Sequence, residues 1–273
     1  MATQHEYVTT EAPPDALDTN APWNLPGSPA LKKIFNLRFW DVDLCSAARY
    51  LVARAIAGER LRVFFVNAHC VNVSEKVPNY AKLLENAPFL FADGVGMAFA
   101  GRLCGAPLDH NVNGTDLFPE ICEIAAQISL PIAFLGGSEG VAQACALKMQ
   151  ERFPGLRVVW TEHGFHSIKE EAALLDELNA SGAKILFVAK GVPEQELWIG
   201  ANSMQLAPPI VLGVGALFDF YSGTIKRAPK FLRSLRLEWM YRLWREPRRL
   251  FRRYVFGNPV FIARTVLRRL FCR

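Results

Sequence analysis

The sequence has few of the features expected of secreted, membrane-spanning or zinc-binding proteins. Its six cysteines are scattered and form no Cys-x-x-Cys pair, which gives no support for a zinc site or a disulfide framework. No apolar run approaches the roughly 18 residues that a spanning helix needs. The start lacks the basic residues and apolar stretch of a secretory signal. We therefore expect a cytoplasmic protein with reduced thiols.

Residues 1–30 also lack Lys and Arg, and they contain five prolines without apolar periodicity. This composition predicts a disordered leader. The whole chain has 273 residues, of which 51% are hydrophobic, so it can bury one sizeable core and carry an appendage.

Basic residues are scarce in the body and concentrated at the C-terminus. Residues 226–273 hold 15 Lys or Arg and 2 acids, a net charge of +13, whereas the remainder carries −8. Such a segment indicates an anionic partner, which can be a phosphate-rich ligand, an anionic membrane surface or nucleic acid.

Short apolar runs alternate with helical patterns through the body. The predicted strands are Leu37–Trp40, Arg62–Val66, Phe89–Ala92, Ile132–Leu135, Arg157–Thr161, Lys184–Val188 and Ile210–Val214. The predicted helices are Leu44–Ala57, Ser74–Asn86, Gly96–Leu103, Asp116–Ile128, Gly140–Arg152, Lys169–Ala180 and Glu194–Leu206. Strands this apolar indicate an α/β fold, with a mainly parallel Rossmann-like sheet and helices on both faces over residues 31–225. Residues 226–273 form a basic, helical C-terminal appendage.

Polar residues and glycines follow four of the predicted strands. They are Asn67 and His69, the 92–96 segment around Asp93, the Gly136–Gly137 pair, and the 191–195 segment. Ligands of open parallel sheets bind beyond the carboxyl ends of strands. We therefore expect a ligand site with one carboxylate and one amide at this edge.

Taken together, these segments resemble the bacterial WecG/TagA/CpsF glycosyltransferase family. The matching stretches are VNAH (66–69), ADGVG (92–96), NGTDLF (113–118), FLGG (134–137), HGF (163–165), GVPEQE (191–196) and the long run from 213 to 254. The resemblance implies an inverting, metal-independent enzyme that moves a sugar from a UDP donor onto a polyprenyl-diphosphate-linked sugar at the cytoplasmic membrane. It implies no cofactor.

The resemblance assigns the catalytic base to Asp93, which would remove the proton of the acceptor hydroxyl. The alternative is that Asp93 only caps the following helix. In either case the helix N-terminus is expected to keep its pKa low.

The resemblance also assigns donor contacts to Asn67, Gly136, Gly137, Gln195 and Asp219. Asn67 could instead be a turn residue, and Gln195 a surface residue at a helix start. Phe165 could stack on uracil or pack in the core.

Two positions depart from the family pattern. Phe65 replaces the usual Thr, and Asn111 replaces the usual Arg, so a hydroxyl and a guanidinium contact are missing. The usual N-acetylmannosamine-type donor therefore does not follow from the resemblance.

The appendage has two expected tasks. Arg242, Arg249 and Arg252 match the arginines that the family places over the donor diphosphate, where they would neutralise leaving UDP. Apolar residues form two helical arcs that fit an anionic membrane surface, Phe231, Leu232, Leu235, Trp239 and Leu243 in one and Ile262, Val266 and Leu270 in the other. Alternatively, these arcs pack on the body or form an oligomer contact.

No metal site is expected. Asp41 and Asp43 imitate a metal-binding Asp-x-Asp, but Asp43 directly precedes a helical pattern and fits a helix cap. His163 and His166 are three residues apart and show no third ligand in the sequence.

Two rival functions remain open from the sequence. One is a nucleic-acid-binding protein that uses the basic tail, although no zinc finger or RNA-recognition motif is present. The other is a catalytically inactive scaffold at the membrane, which the replacements at Phe65 and Asn111 suggest and the glycine-flanked Asp93 opposes. A UDP-sugar-dependent transferase in surface polysaccharide or exopolysaccharide synthesis, lying on the inner face of the membrane, is the favoured interpretation.

Overall fold

A computed structural model describes residues 30–229, 231–232 and 237–271. The predicted leader therefore lies outside the described residues, apart from residue 30. The strands are β1 (Ala30–Ile34), β2 (Leu37–Asp41), β3 (Leu61–Val66), β4 (Phe89–Ala92), β5 (Pro131–Gly136), β6 (Arg157–Glu162), β7 (Ile185–Ala189) and β8 (Ile210–Gly213). The helices of the body are α1 (Leu44–Ile56), α2 (Ala68–Ser74), α3 (Pro78–Asn86), α4 (Gly94–Leu103), α5 (Gly114–Gln127), α6 (Val141–Arg152), α7 (Ile168–Ala180), α8 (Glu194–Ala201) and α9 (Leu217–Tyr221).

The eight strands form one open sheet in the order β1-β2-β4-β3-β8-β7-β5-β6. Every neighbouring pair is parallel except β1 and β2, which form an antiparallel hairpin at one edge. Helices cover both faces, and each face has its own apolar core. The predicted α/β class and the mainly parallel sheet are confirmed.

Most predicted elements agree with the structure to within two residues, but three expectations were wrong. The helix predicted from Ser74 to Asn86 begins only at Pro78, as α3, because Val77 is extended, and the separate helix α2 that ends at Ser74 was not predicted. The helix that was expected to reach Leu206 ends at Ala201. The hairpin strand β1 was not predicted; its turn contains Phe35 at a φ of 56°, which no Gly signals in the sequence.

The C-terminal segment folds back over the body. It contains α10 (Glu238–Arg245), α11 (Pro247–Phe251), a π-helical turn (Arg252–Phe256) and α12 (Gly257–Phe271). Helix α12 packs against α2 and α4 through the buried Phe261 and Thr265. Arg264 donates to the Asn72 side chain over 3.2 Å, and Arg268 pairs with Glu75. The appendage is thereby held beside the carboxyl edge of the sheet.

Of the helices that the structure describes, none is both long and apolar enough to cross a bilayer.

Candidate active site

The polar residues singled out from the sequence lie along one edge of the sheet, because the strands that carry them are parallel. The order along this edge follows the strand order: Asp93 after β4, Asn67 after β3, Gly215 after β8, Gly191 after β7 and Gly137 after β5. We call this edge the rim. The first two positions lie on neighbouring strands, so their side chains meet.

Asp93 occupies the N-cap position of α4 but does not act as a cap. Its carboxylate accepts no hydrogen bond from the helix amides. Instead, Oδ2 lies 3.4 Å from the Asn67 Nδ2 amide. The amide of Gly94, the first residue of α4, donates to the Asn111 side chain. The carboxylate is therefore available for chemistry, which favours the base over the cap.

The pKa of Asp93 is raised, chiefly because burial removes water from the carboxylate. The Asn67 amide and the charges of Arg253 and Arg242 oppose this shift, whereas Glu238 adds to it. The expectation that the helix N-terminus keeps this pKa low was wrong, since desolvation outweighs the favourable contacts. A raised pKa makes the carboxylate a better proton acceptor.

Asn67 has both ends of its carboxamide engaged. Its Oδ1 accepts from the amides of His69 (3.0 Å) and Cys70 (3.2 Å), capping α2, and its Nδ2 faces Asp93. Asn67 is therefore a helix-capping residue, as its turn interpretation expected, and its contact with the donor stays a prediction. The half-buried His69 beside it has a pKa lowered to about 4 by burial, Arg253 and Lys76, so its imidazole is neutral at physiological pH.

Two arginines of the appendage lie near Asp93. Arg242 and Arg253 both affect the pKa of Asp93, and each has a buried Nε without a hydrogen-bond partner among the described residues. Buried guanidinium nitrogens are normally paired. Arg242 also lies over the Phe220 ring, 5.2 Å from its centroid. These unpaired donors create an environment that suits an anionic ligand.

Asp219 lies on α9, beyond β8, and belongs to the same cluster. Burial raises its pKa, while Arg249 and Arg242 lower it. Arg249 is exposed and donates to Glu246 over 2.6 Å. The structure thus brings Asp93, Asp219 and two of the three predicted arginines into one charged cluster.

Arg252, the third predicted arginine, is exposed, and no hydrogen bond or ion pair holds it among the described residues. Its neighbour Arg253 is half-buried and acts on both Asp93 and His69. The sequence analysis missed Arg253. The nearest signal was its place in the Arg-rich run that matches the family.

Gln195 is 3% exposed and lies buried beneath the rim, so the interpretation as a surface residue was wrong. Its Oε1 accepts from the amides of Gly191 (3.2 Å) and Gly215 (2.8 Å), and its Nε2 donates to Glu196 over 2.7 Å. Its hydrogen bonds all go to protein groups. The side chain therefore fixes the loops after β7 and β8 relative to each other.

Glu196 makes the stability of the protein depend on pH. It is 1% exposed, and burial raises its pKa to about 7, although the Gln195 hydrogen bond opposes the shift. Because the folded state binds this proton more tightly than the unfolded state, the free energy of unfolding falls as pH rises from about 4.5 through 7. The loss reaches about 3 kcal/mol at 1.4 kcal/mol per pKa unit.

Glu196→Gln should remove most of this loss, because a neutral amide still accepts from Gln195. Urea unfolding at pH 5 and pH 8 measures it. From pH 5 to pH 8, the free energy of unfolding of the wild type should fall by about 2 to 3 kcal/mol more than that of the variant. An identical pH dependence in both proteins would contradict the assignment.

Gly136, Gly137 and Phe165 lie at the other end of the rim. A Cβ on Gly136 would come within 2.3 Å of the Ala189 carbonyl oxygen, so glycine is required for the approach of β5 to β7. Phe165 is 77% exposed, which excludes core packing. Its loop is tied to Gly137 by the Gly164 amide over 2.9 Å. Five strand spacings, about 24 Å, separate the strand ends that carry Phe165 and Asp93.

A cavity of about 310 Å³ adjoins the Phe165 loop. It is lined by Glu139, Gly140, Ala142, Gln143, Thr161, Glu162 and His163. The sequence patterns gave no signal of it, since its lining comes from two separate segments, 139–143 and 161–163.

The expectation that His163 and His166 lack a third ligand was wrong. Glu162 Oε1 lies 3.7 Å from His163 Nε2 and 3.6 Å from His166 Nε2. The two rings are stacked 4.2 Å apart at 9°, so one cation cannot lie in both ring planes at the usual distance of about 2.1 Å. The His163 Nδ1 also accepts the Phe165 amide, which leaves the proton of the neutral ring on Nε2. This arrangement does not converge on a metal.

Both carboxylates of the Asp-x-Asp segment accept hydrogen bonds from backbone amides. Asp43 Oδ1 accepts from the Ser46 amide over 2.9 Å, which confirms the predicted helix cap. Asp41 accepts from the amides of Asp109 (3.2 Å) and His110 (3.0 Å).

The two departures from the family pattern have structural roles of their own. Phe65 is buried against Phe91 and beneath Gly114, in the core of one sheet face. Asn111 is exposed and accepts the Gly94 amide over 2.7 Å.

A mainly parallel open sheet with a carboxylate and partly buried arginines at its carboxyl edge defines an α/β protein with a cationic ligand edge. The comparisons with known proteins name the family. The model of the glycosyl transferase WecG/TagA/CpsF family matches residues 32–273. The chain belongs to this family, and it is a glycosyltransferase.

Individual relatives agree. The chain is similar to the N-acetylglucosaminyldiphosphoundecaprenol N-acetyl-beta-D-mannosaminyltransferase of Bacillus spizizenii, with 31% identity over 220 residues, 80% of this chain and 84% of the relative. An enzyme of the same name from Staphylococcus aureus strain MW2 is 28% identical over 216 residues, 75% of this chain and 84% of the relative.

Proposed function

We propose that this protein transfers a sugar, with inversion and without a metal, from a UDP-sugar to a saccharide linked to polyprenyl diphosphate. The observation that carries the proposal is the partly buried Asp93 carboxylate, which caps no helix and lies beside arginine nitrogens that have no hydrogen-bond partner among the described residues. The names of the relatives support the acceptor class, since both enzymes act on an undecaprenyl-diphosphate-linked sugar. Surface polysaccharide or exopolysaccharide synthesis is the process that such a product serves.

In this mechanism Asp93 accepts the proton of the acceptor hydroxyl as that oxygen attacks the anomeric carbon of the donor. Asn67 holds the carboxylate in place through its Nδ2. The bond between the anomeric carbon and the diphosphate breaks, and UDP leaves with the negative charge. Inversion follows because the base and the leaving group lie on opposite sides of the reacting carbon.

The arginines of the appendage stabilise the leaving diphosphate. Arg242 and Arg253 lie near the base, whereas Arg249 and Arg252, which the resemblance assigns to the diphosphate, are exposed at the edge of the appendage. Asp219, next to Arg249, contacts the donor from α9. Guanidinium groups in a partly desolvated site supply the charge compensation that a metal gives in other transferases.

Gly136 and Gly137 form a bare backbone turn at the far end of the rim, and Phe165 presents an exposed ring there. At four to five strand spacings from Asp93, these residues lie farther than one UDP-sugar extends from its anomeric carbon. In this conformation they therefore do not hold the uracil of a donor that reacts at Asp93.

The function is tested by incubating the purified protein with a panel of UDP-sugars and a short-chain polyprenyl-diphosphate sugar in EDTA. Release of UDP with one donor, together with a product heavier by one sugar, is the expected result. Loss of activity in EDTA, restored by manganese or magnesium, would contradict the metal-free mechanism. The same panel identifies the donor, which Phe65 and Asn111 leave open because neither offers the family's usual contact.

We further propose that the appendage docks the enzyme on an anionic membrane, at the inner face where the acceptor lies. Ile262, Val266 and Leu270 are exposed on α12, while Arg264 and Arg268 on the opposite side bind the body. The second arc therefore does not pack on the body. Trp244 and Phe256 add exposed aromatic rings to the appendage. A basic segment with exposed aromatic and aliphatic groups binds the headgroup region.

Ile262→Glu with Val266→Glu should weaken binding to anionic liposomes by at least about 30-fold, at about 1 kcal/mol for each added charge. Transfer to a soluble acceptor should be unchanged. Leu147→Glu with Met204→Glu is the matched control, since it adds the same charges at exposed apolar positions of the body. Liposome sedimentation measures the effect. Unchanged liposome binding with a smaller oligomer would instead assign the stripe to self-association.

A further inference from the structure

The segment between α4 and α5 holds the peptide that follows the catalytic carboxylate. Asn111 lies in this segment, and its Oδ1 accepts the Gly94 amide over 2.7 Å. Gly94 directly follows Asp93 and has a φ of +85°, in the left-handed region that favours glycine. A Cβ at this position would meet nothing within 4 Å. Packing therefore does not fix this peptide, and the hydrogen bond does.

The same segment is fixed in turn by Asp41 at the end of β2. Its two carboxylate oxygens accept the amides of Asp109 and His110, over 3.2 Å and 3.0 Å. Asp41 is buried, and β2 pairs with β4, the strand that ends at Asp93. Hydrogen bonds to an ionised carboxylate are among the stronger ones in proteins. Asn111 is thus held in register with the strand that carries the base.

Asp93 depends on hydrogen bonds from its neighbouring peptides because its own side chain makes no capping bond. On its N-terminal side, the Asp93 amide donates to the Val66 carbonyl over 2.9 Å. On its C-terminal side, the Gly94 amide is held by Asn111. The carboxylate is therefore aimed by two backbone hydrogen bonds, one from each neighbouring peptide, and by the Asn67 amide.

We propose that Asn111 is a positioning residue for the base Asp93, and that Asp41 holds Asn111 in place. The inference rests on the proposed function of Asp93. Where the family pattern has a guanidinium, which can only donate, this chain has an acceptor that orients the catalytic loop.

Asn111→Ala should lower kcat about tenfold, the value of one lost hydrogen bond at a catalytic position, with little change in the KM for the donor. The melting temperature should stay within about 2 °C, because Asn111 is exposed. Asp109→Asn, an exposed change in the same segment that leaves the backbone bonds intact, should behave as the wild type.

Asn111→Asp separates positioning from a purely structural role. Its carboxylate still accepts the Gly94 amide, so kcat should recover to within about threefold of the wild type at high pH. The new negative charge adds to that of Glu238 and opposes Arg242 and Arg253, which raises the pKa of Asp93. The acid limb of the kcat–pH profile should therefore move to higher pH.

Wild-type kcat in Asn111→Ala would overturn the inference, as would equal losses in the Ala and Asp variants without a shift of the acid limb. Asp93→Asn is measured in parallel. If that variant turns over normally, the base assignment itself fails. If it is inactive while Asn111→Ala is normal, only the positioning role fails.

Discussion

Asp93→Asn should lower sugar transfer at least about 100-fold, the typical contribution of a general base, while UDP binding stays unchanged. Asn has the shape of Asp, so the contact with Asn67 can persist through its Oδ1. What is lost is the ability to accept the proton. Turnover on a short-chain acceptor and UDP binding by calorimetry measure the two quantities separately.

The matched control is Asp176→Asn, the same change at an exposed position of α7. In the wild type, kcat should fall as pH falls through the pKa of Asp93, because only the ionised carboxylate accepts a proton. Since burial raises that pKa above the usual 3.8, this acid limb should lie at higher pH than for an exposed aspartate. Near-normal turnover of Asp93→Asn would remove the base from the mechanism.

Arg242→Ala with Arg253→Ala should lower transfer by about 1,000-fold or more, since one preorganised donor to a developing charge is already worth 100- to 1,000-fold. Both guanidinium groups lie near Asp93 and have buried nitrogens without described partners. Binding to anionic liposomes should fall only modestly, because thirteen of the fifteen basic residues of the appendage remain.

Arg245→Ala with Arg248→Ala is the matched control. It removes the same charge from exposed positions of the same appendage, so its effect on liposome binding should equal that of the first pair. Its effect on transfer to a soluble acceptor should be small. If the Arg242 and Arg253 double variant transferred sugar as fast as this control, the appendage would serve only as an anchor. Arg252→Ala alone tests the arginine that the resemblance selected.

The sequence was sufficient to predict seven of the eight described strands, because these strands are compact apolar runs bounded by turn residues. β4 was predicted to the residue, and most other boundaries differ by one or two. The failures occurred where local patterns are ambiguous. Periodicity did not reveal α2 and placed the start of α3 four residues too early. A turn built on Phe35 carries no glycine or proline to mark it.

Site residues that directly follow strands were predictable from the sequence. Site residues on helices were less so, because the direction of their side chains depends on the exact helical geometry. Asn67 and Asp93 had to meet, because they follow neighbouring parallel strands. The choice between Arg252 and Arg253 depends on a π-helical turn, Arg252–Phe256, which contains wider i→i+5 bonds and shifts the helical phase. A regular helical wheel assumes 3.6 residues per turn and cannot place these residues.

Buried hydrogen-bond networks were the least predictable part. Gln195 was expected to contact the donor or to lie at the surface, but it lies beneath the rim and joins two loops through its hydrogen bonds. The direction of the Asp93 pKa shift was also wrong, because desolvation depends on the appendage folding over the rim. A single sequence does not show that burial.

The central claim is tested most directly by following the anomeric carbon through one turnover. The donor that passes the panel assay is supplied with ¹³C at that carbon, and the short-chain product is examined by NMR and mass spectrometry. The account predicts one added sugar, one released UDP, and an α-linked donor converted to a β-linked product, in the presence of EDTA. A product that retains the α configuration would contradict it, because retention requires two displacements at the anomeric carbon, whereas direct attack assisted by Asp93 as base gives one.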